Sequence, residues 1–291
     1  MQNLNNKIYI LFYLIFFMVG FIMNWPFKCL SVSFAGEMMT KEDYILSNGS
    51  VLKKGFLEND NYSELPIEVD NKDWGNICWP TYDIRNGYLY FSAISKNDDF
   101  KTFICKMKLT DKSFLPMKIT EGRFPAISPE GDFLAFYIHP NQLWVLGLRD
   151  NEKRMIVSDM TNFQPVVWCS NGKLLYVNTL NNLIELDINR GEKKETGYDH
   201  IIPGAFSPDG ELVLCSSSDA RKLFIYSTKT KTIKLIKKSR ALSIGTSFIW
   251  SSDGKSFLYT RQTWSKTIRI SEAQDLFLYY LDGKEVHLLE D

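Results

Sequence analysis

Histidines, cysteines and paired acids are the side chains that could move protons, hold a metal or form bridges near neutral pH. This chain has few of them in useful company. There are three histidines. His139 stands before Pro140 and reads as a turn residue. His200 follows Tyr198-Asp199, and an imidazole near a carboxylate can bind a metal or shuttle a proton. His287 sits in a strand-like segment, EVHLLE. Their spacing builds no ligand cluster, so no metal and no cofactor is expected. The Gly-x-Ser-x-Gly elbow, His-Glu-x-x-His, Cys-x-x-Cys, the P-loop and Gly-x-Gly-x-x-Gly are all missing from the sequence. Asp98-Asp99 reads as a pair of loop charges. No catalytic residue is expected.

Binding is the chemistry the remaining residues suit. Trp264 lies in a polar stretch, Gln262 to Lys266, with no strand pattern. An indole left in water is costly, and aromatics anchor interfaces. Arg261 and Lys266 flank it. Arg240, His200, Tyr198, Arg221 and His139 fall in other connections that the pattern described next gathers at the same end of the molecule. These eight residues are the expected partner-binding set. Lysine plus arginine equals aspartate plus glutamate, at 34 each. No basic field is available to attract a phosphate backbone, which excludes nucleic acid as a partner.

The elements that must position these residues come from an internal repeat. Segments 124–138, 165–179, 204–217 and 247–261 align without gaps around one glycine, and 80–93 aligns less well. The shared glycines are Gly87, Gly131, Gly172, Gly210 and Gly254, spaced 44, 41, 38 and 44 residues apart. Asn86, Glu130, Asn171, Asp209 or Asp253 precedes each. An apolar run, a polar turn ending in glycine and a second apolar run make a hairpin, because glycine supplies the positive φ that tight turns need. A third apolar strand follows in every copy, at 102–109, 142–148, 182–188, 222–228 and 275–281. A fourth, more polar strand comes after it. Four strands in about 40 residues is the pattern of a propeller blade. In such a blade the glycine turns share one end. The second-to-third and fourth-to-first connections share the other, where the binding set falls. Trp168 and Trp250, each four residues before the glycine, are expected to pack blade against blade.

Ser207-Pro208-Asp209-Gly210 and Ser251-Ser252-Asp253-Gly254, with Ser128-Pro129-Glu130-Gly131 as a close variant, resemble the WD40-like repeat of TolB-type propellers over residues 74–291. That resemblance implies an all-β propeller of four-stranded blades and partners in the cell envelope. Six blades are expected: five clear copies in 74–291 and a degenerate first blade in 36–73. Asn48-Gly49 would be its turn and residues 64–69 its outer strand.

The start of the chain differs from the rest. Lys7 precedes 16 uninterrupted apolar or glycine residues, Ile8 to Met23, and no acid occurs before Glu37. This is the pattern of a secretory signal, with Ser33-Phe34-Ala35 as the cleavage site. An uncleaved membrane anchor in residues 1–35 is the alternative. Four cysteines follow it, Cys78, Cys105, Cys169 and Cys215, all in strand-like runs and expected as buried free thiols. The reading as a whole is an exported, periplasmic or extracellular module that docks a protein or peptide. It would touch a membrane only through its N-terminal segment. A propeller enzyme of lyase or glycosidase type, with a small-molecule site at the central channel, is the alternative function.

Overall fold

Among the described residues the chain forms six successive four-stranded antiparallel sheets and no helix. The computed structural model describes residues 30–34, 42–48, 51–58 and 61–67 by their backbone. It then describes residues 72–289, except 84, 109–114, 163, 170–171, 240–243, 252 and 264–272. The expected leader helix, Arg240, Trp264 and Lys266 lie outside the described residues.

The first sheet holds β1 (Leu30–Phe34), β2 (Glu42–Asn48), β3 (Val51–Glu58) and β4 (Asn61–Ile67). The second holds β5 (Trp74–Asp83), β6 (Tyr88–Ser95), β7 (Thr102–Lys108) and β8 (Met117–Glu121). The third holds β9 (Arg123–Ile127), β10 (Phe133–Ile138), β11 (Gln142–Gly147) and β12 (Lys153–Val157). The fourth holds β13 (Val167–Trp168), β14 (Lys173–Val177), β15 (Asn182–Asp187) and β16 (Glu192–Asp199). The fifth holds β17 (Ile201–Phe206), β18 (Leu212–Ser217), β19 (Lys222–Ser227) and β20 (Ile233–Lys238). The last holds β21 (Ile244–Trp250), β22 (Ser256–Thr263), β23 (Ala273–Tyr280) and β24 (Glu285–Leu289).

Each sheet is a meander whose strands pair in chain order, and the first strands lie side by side around the centre. The core therefore sits between sheets. In β10 and β14 nearly every side chain is buried, because a neighbouring sheet covers each face. The outermost β16 is almost wholly exposed.

The five sheets from Trp74 onward are blades built to the repeat, and they correct the expected count of six copies. The first sheet is no worn copy. Asn48 pairs with Val51, so the connection at the expected Asn48-Gly49 turn joins β2 to β3, at the opposite end from the glycine turns of the later sheets. It also begins at Leu30, ahead of the expected boundary at residue 36, and β1 lies beside both β5 and β21.

The turn that repeats depends on a serine as much as on the glycine. Ser207 is buried. Its carbonyl accepts the Gly210 N–H at 2.9 Å. Its hydroxyl oxygen accepts the Leu212 N–H at 2.9 Å and donates to Asp209 Oδ1 at 2.5 Å. Ser251 repeats this with Gly254, Ser256 and Asp253. Ser128 does so with Gly131 and Phe133. In the first blade a buried carboxylate, Asp83, takes the serine's place. The glycines of these turns have φ of 67° to 74°, which an L side chain adopts only under strain.

Two tryptophans stitch blades together, as expected. Trp168 Nε1 donates to the Ala126 carbonyl of the preceding blade at 2.8 Å, and Trp250 Nε1 donates to that of Ala205 at 3.2 Å.

Candidate functional site: the mouth of the central channel

The first strands are bulged, and the bulges decide what faces the channel. The register of β5 against β6 shifts on either side of Cys78, and that of β17 against β18 shifts between Pro203 and Ala205. The pairing of β9 with β10 shifts between Ala135 and Tyr137. A bulge re-aims a side chain that a regular strand would place elsewhere. Trp79 and Phe124 stand in these irregular stretches with φ of 51° and 54°, and their rings lie 4.1 Å apart.

The result is a cavity of about 530 Å³ at the glycine-turn end, lined by the first strands of all five blades. Its wall is aromatic and proline-rich: Trp79, Phe124, Trp168, Phe206, Phe248 and Trp250, with Pro80, Pro125, Pro129, Pro165 and Pro208. Among the described residues, the charged ones in the lining are Asp83 and Arg85, and both are engaged. Asp83 Oδ2 accepts from Asn86 Nδ2 at 2.8 Å, and its Oδ1 accepts the Arg85 N–H at 3.1 Å. Arg85 Nη1 donates to the Glu130 carbonyl at 2.8 Å. This chemistry suits desolvating an apolar group. The Ser128 and Ser207 hydroxyls on its wall are bonded to their own turns. Among the described residues, no group of three or more His, Cys, Asp or Glu side chains is placed to hold a metal ion.

None of the five described residues of the expected binding set, Arg261, His200, Tyr198, Arg221 and His139, is among the described residues that line this cavity. His139, His200 and Arg221 do share the opposite end, in second-to-third or fourth-to-first connections. His200 is part of the frame there. Its N–H donates to the Asn181 carbonyl at 2.8 Å, and its own carbonyl accepts the Ser218 N–H at 2.8 Å. Met160 with Asn141 and Ile244 with Ala220 make the same tie between a blade's second-to-third turn and the next blade. Tyr198 stands on the outer strand β16 rather than near the central mouth. Its ring packs edge-on against Tyr226 at 5.9 Å, and its hydroxyl donates to the Lys231 carbonyl at 3.2 Å. Arg261 is held within the last blade, 4.0 Å from the Phe277 ring centroid and 3.8 Å from Glu285 Oε1. Glu285 also pairs with Lys237 and accepts from the Tyr259 hydroxyl. His287 stacks on Phe277 and lies 3.2 Å from Asp275 Oδ2.

The sequence held one signal for the cavity. Trp168 and Trp250 occupy equivalent positions in a short inner strand. Packing between blades accounts for one edge of each ring, and the channel takes the other. Trp79 and Phe124 carried no such signal, since only the bulges bring them to the wall. The four described cysteines are buried, and no disulfide joins any two of them. Burial pushes the thiols of Cys105 and Cys169 up to about 12, and that of Cys215 up as well.

No family model matches the sequence, and no curated protein does. Solved structures are similar in fold. TolB from Acinetobacter baumannii is 14% identical, with a TM-score of 0.64 over 94% of this chain and 67% of that one. A chain of a nidogen/laminin complex is 11% identical, with a TM-score of 0.61 over 82% and 90%. An oligogalacturonate lyase in complex with manganese is 12% identical, with a TM-score of 0.54 over 83% and 73%. At these identities the likeness establishes the propeller architecture, which hosts many unrelated functions.

Proposed function

We propose that this TolB-like β-propeller is an interaction module that works outside the cytoplasm and holds an apolar segment of a protein or peptide partner in the mouth of its channel. The observation that carries the reading is the cavity of about 530 Å³, walled by aromatic and proline side chains from five blades, with its two charged groups already hydrogen-bonded. Concave, largely apolar sites of a few hundred Å³ are where proteins desolvate a ligand group. Buried aromatic pockets are likewise where a partner's anchor residue is held. Export is supported by Lys7 and the apolar run from Ile8 to Met23. The resemblance of the serine-glycine turns to TolB repeats supports an envelope setting.

The test narrows the mouth from its rim. Pro129 and Pro208 are exposed lining residues on two different turns. The full chain and a Pro129→Trp/Pro208→Trp variant are used to capture partners from an envelope extract. Leu180→Asp, at the opposite end, serves as the control. Capture by the wild type and Leu180→Asp, with loss in the double variant, supports the reading. An unchanged partner set in the double variant would overturn it.

A further inference from the structure

We infer that the end of the propeller bearing the second-to-third strand turns rests on a lipid bilayer, tethered by an N-terminal segment that stays attached, and that the channel mouth points away from the membrane. The inference concerns orientation and holds whatever occupies the channel.

Retention follows from where β1 lies. All five of its residues pair with β2, from Leu30 with Asn48 to Phe34 with Tyr44. It also lies beside β5 and β21, between the last blade and the first of the five. Small-residue sites for an exporting peptidase, Ser31-Val32-Ser33 and Ser33-Phe34-Ala35, lie within β1 or just past its end. A cut after Ser33 would remove four of the five residues of β1 and a cut after Ala35 all of them, leaving β2 as an unpaired edge and a gap beside β5 and β21. Between the apolar run and β1 the chain reads Asn24-Trp25-Pro26-Phe27-Lys28-Cys29, which offers no pair of small residues. A fold that needs β1 therefore keeps what precedes it.

What precedes it suits a bilayer. Ile8 to Phe27 is 20 residues without a charge, bounded by Lys7 and Lys28. At roughly 1.5 Å per helical residue this spans about 30 Å, the thickness of the hydrocarbon core. Trp25 and Lys28 are residue types that settle at the interface.

The tether also fixes which end faces the lipid. Leu30 pairs with the last residue of β2, so the chain enters its sheet at the second-to-third turn end. Only Lys28 and Cys29 separate the uncharged stretch from that strand, so this end stands within about 10 Å of the membrane surface. Phe100 and Leu180 lie at the tips of second-to-third turns on the same end, and they are 67% and 74% exposed, the two most exposed large apolar side chains among the described residues. Lys101, beside Phe100, is exposed too. Exposed apolar tips suit the headgroup–acyl boundary of a bilayer, and the turn at Phe100 carries Lys96 and Lys101 beside Asp98 and Asp99. The glycine turns and the channel mouth occupy the other end.

The test uses the full chain, with Cys29→Ser, reconstituted in vesicles of phosphatidylcholine and phosphatidylglycerol. An environment-sensitive fluorophore is attached at Leu180→Cys, at Phe100→Cys or at Glu130→Cys, the last on an exposed glycine turn. Nitroxide-labelled lipids should quench positions 180 and 100 at least about twofold more than position 130. Equal quenching, stronger quenching at 130 or no quenching at any position would overturn the orientation. N-terminal sequencing of the native protein should find a chain starting ahead of Leu30, and a start at Gly36 would overturn the tether.

Discussion

Replacing each stitching tryptophan by phenylalanine measures what holds one blade to the next. Trp168 and Trp250 are each only 4% exposed, and their Nε1 atoms reach across a seam to Ala126 and Ala205 carbonyls at 2.8 and 3.2 Å. Phenylalanine keeps a ring in place but removes the donor. The lost hydrogen bond costs about 1 kcal/mol, and more if the carbonyl is left without a partner. The missing part of the indole leaves a void that costs about 1–2 kcal/mol more, towards the low end here because it opens onto the channel. Each variant should therefore lose about 2–3 kcal/mol, or roughly 3–5 °C in Tm for a chain of this size. Trp168, with the shorter bond, should lose more. Trp144 supplies the internal control. It is partly buried, and its Nε1 donates to Gln142 Oε1, two residues away on the same strand. Trp144→Phe should cost less than about 1 kcal/mol, because its bond crosses no seam. Thermal and urea unfolding of the three variants gives the comparison. If both seam variants stay within about 0.5 kcal/mol of wild type, or all three lose the same amount, the indoles are not what joins the blades.

Two further outcomes follow from the turns and the thiols. The carboxyls of Asp209 and Asp253 are held below their usual range, the first chiefly by the Ser207 hydroxyl and the second by the Lys255 N–H and then the Ser251 hydroxyl. A depressed carboxylate stabilises the fold above its unfolded value, near 3.9, and that contribution is lost as pH falls through the folded value. Asp209→Asn/Asp253→Asn should thus be less stable than wild type at pH 7, with the gap closing below about pH 4. A gap as large at pH 3 as at pH 7 would show that the charge is not involved. Burial keeps Cys105 and Cys169 protonated, with thiols near 12. A maleimide at pH 8 should leave Cys78, Cys105, Cys169 and Cys215 unmodified in the native protein and label all four in urea. Rapid native labelling of any of them, read by peptide mass, would mean that the seam around it opens.

The blades and their order were legible because their causes are local. A glycine at positive φ, an acid or amide beside it and two apolar runs specify a hairpin whatever surrounds them, so the spacing of Gly87 to Gly254 marked five blades. The buried serine at the head of three turns was written in the same segments, although its role shows only once the hydroxyl is seen bonded to the turn. The first sheet could not be read this way. Its strands lack the serine-glycine signal, and β1 is a strand because β2, β5 and β21 flank it, inside a stretch whose composition reads as a leader. The site was least legible. Residue type placed interest on polar connections such as His139, His200 and Arg221. The cavity is made instead by side chains like Trp79 and Phe124, which reach the channel only because bulges turn them there. Local chemistry decides hairpins within a few residues. A channel wall is decided by the closure of six separate sheets, and no single segment carries that information.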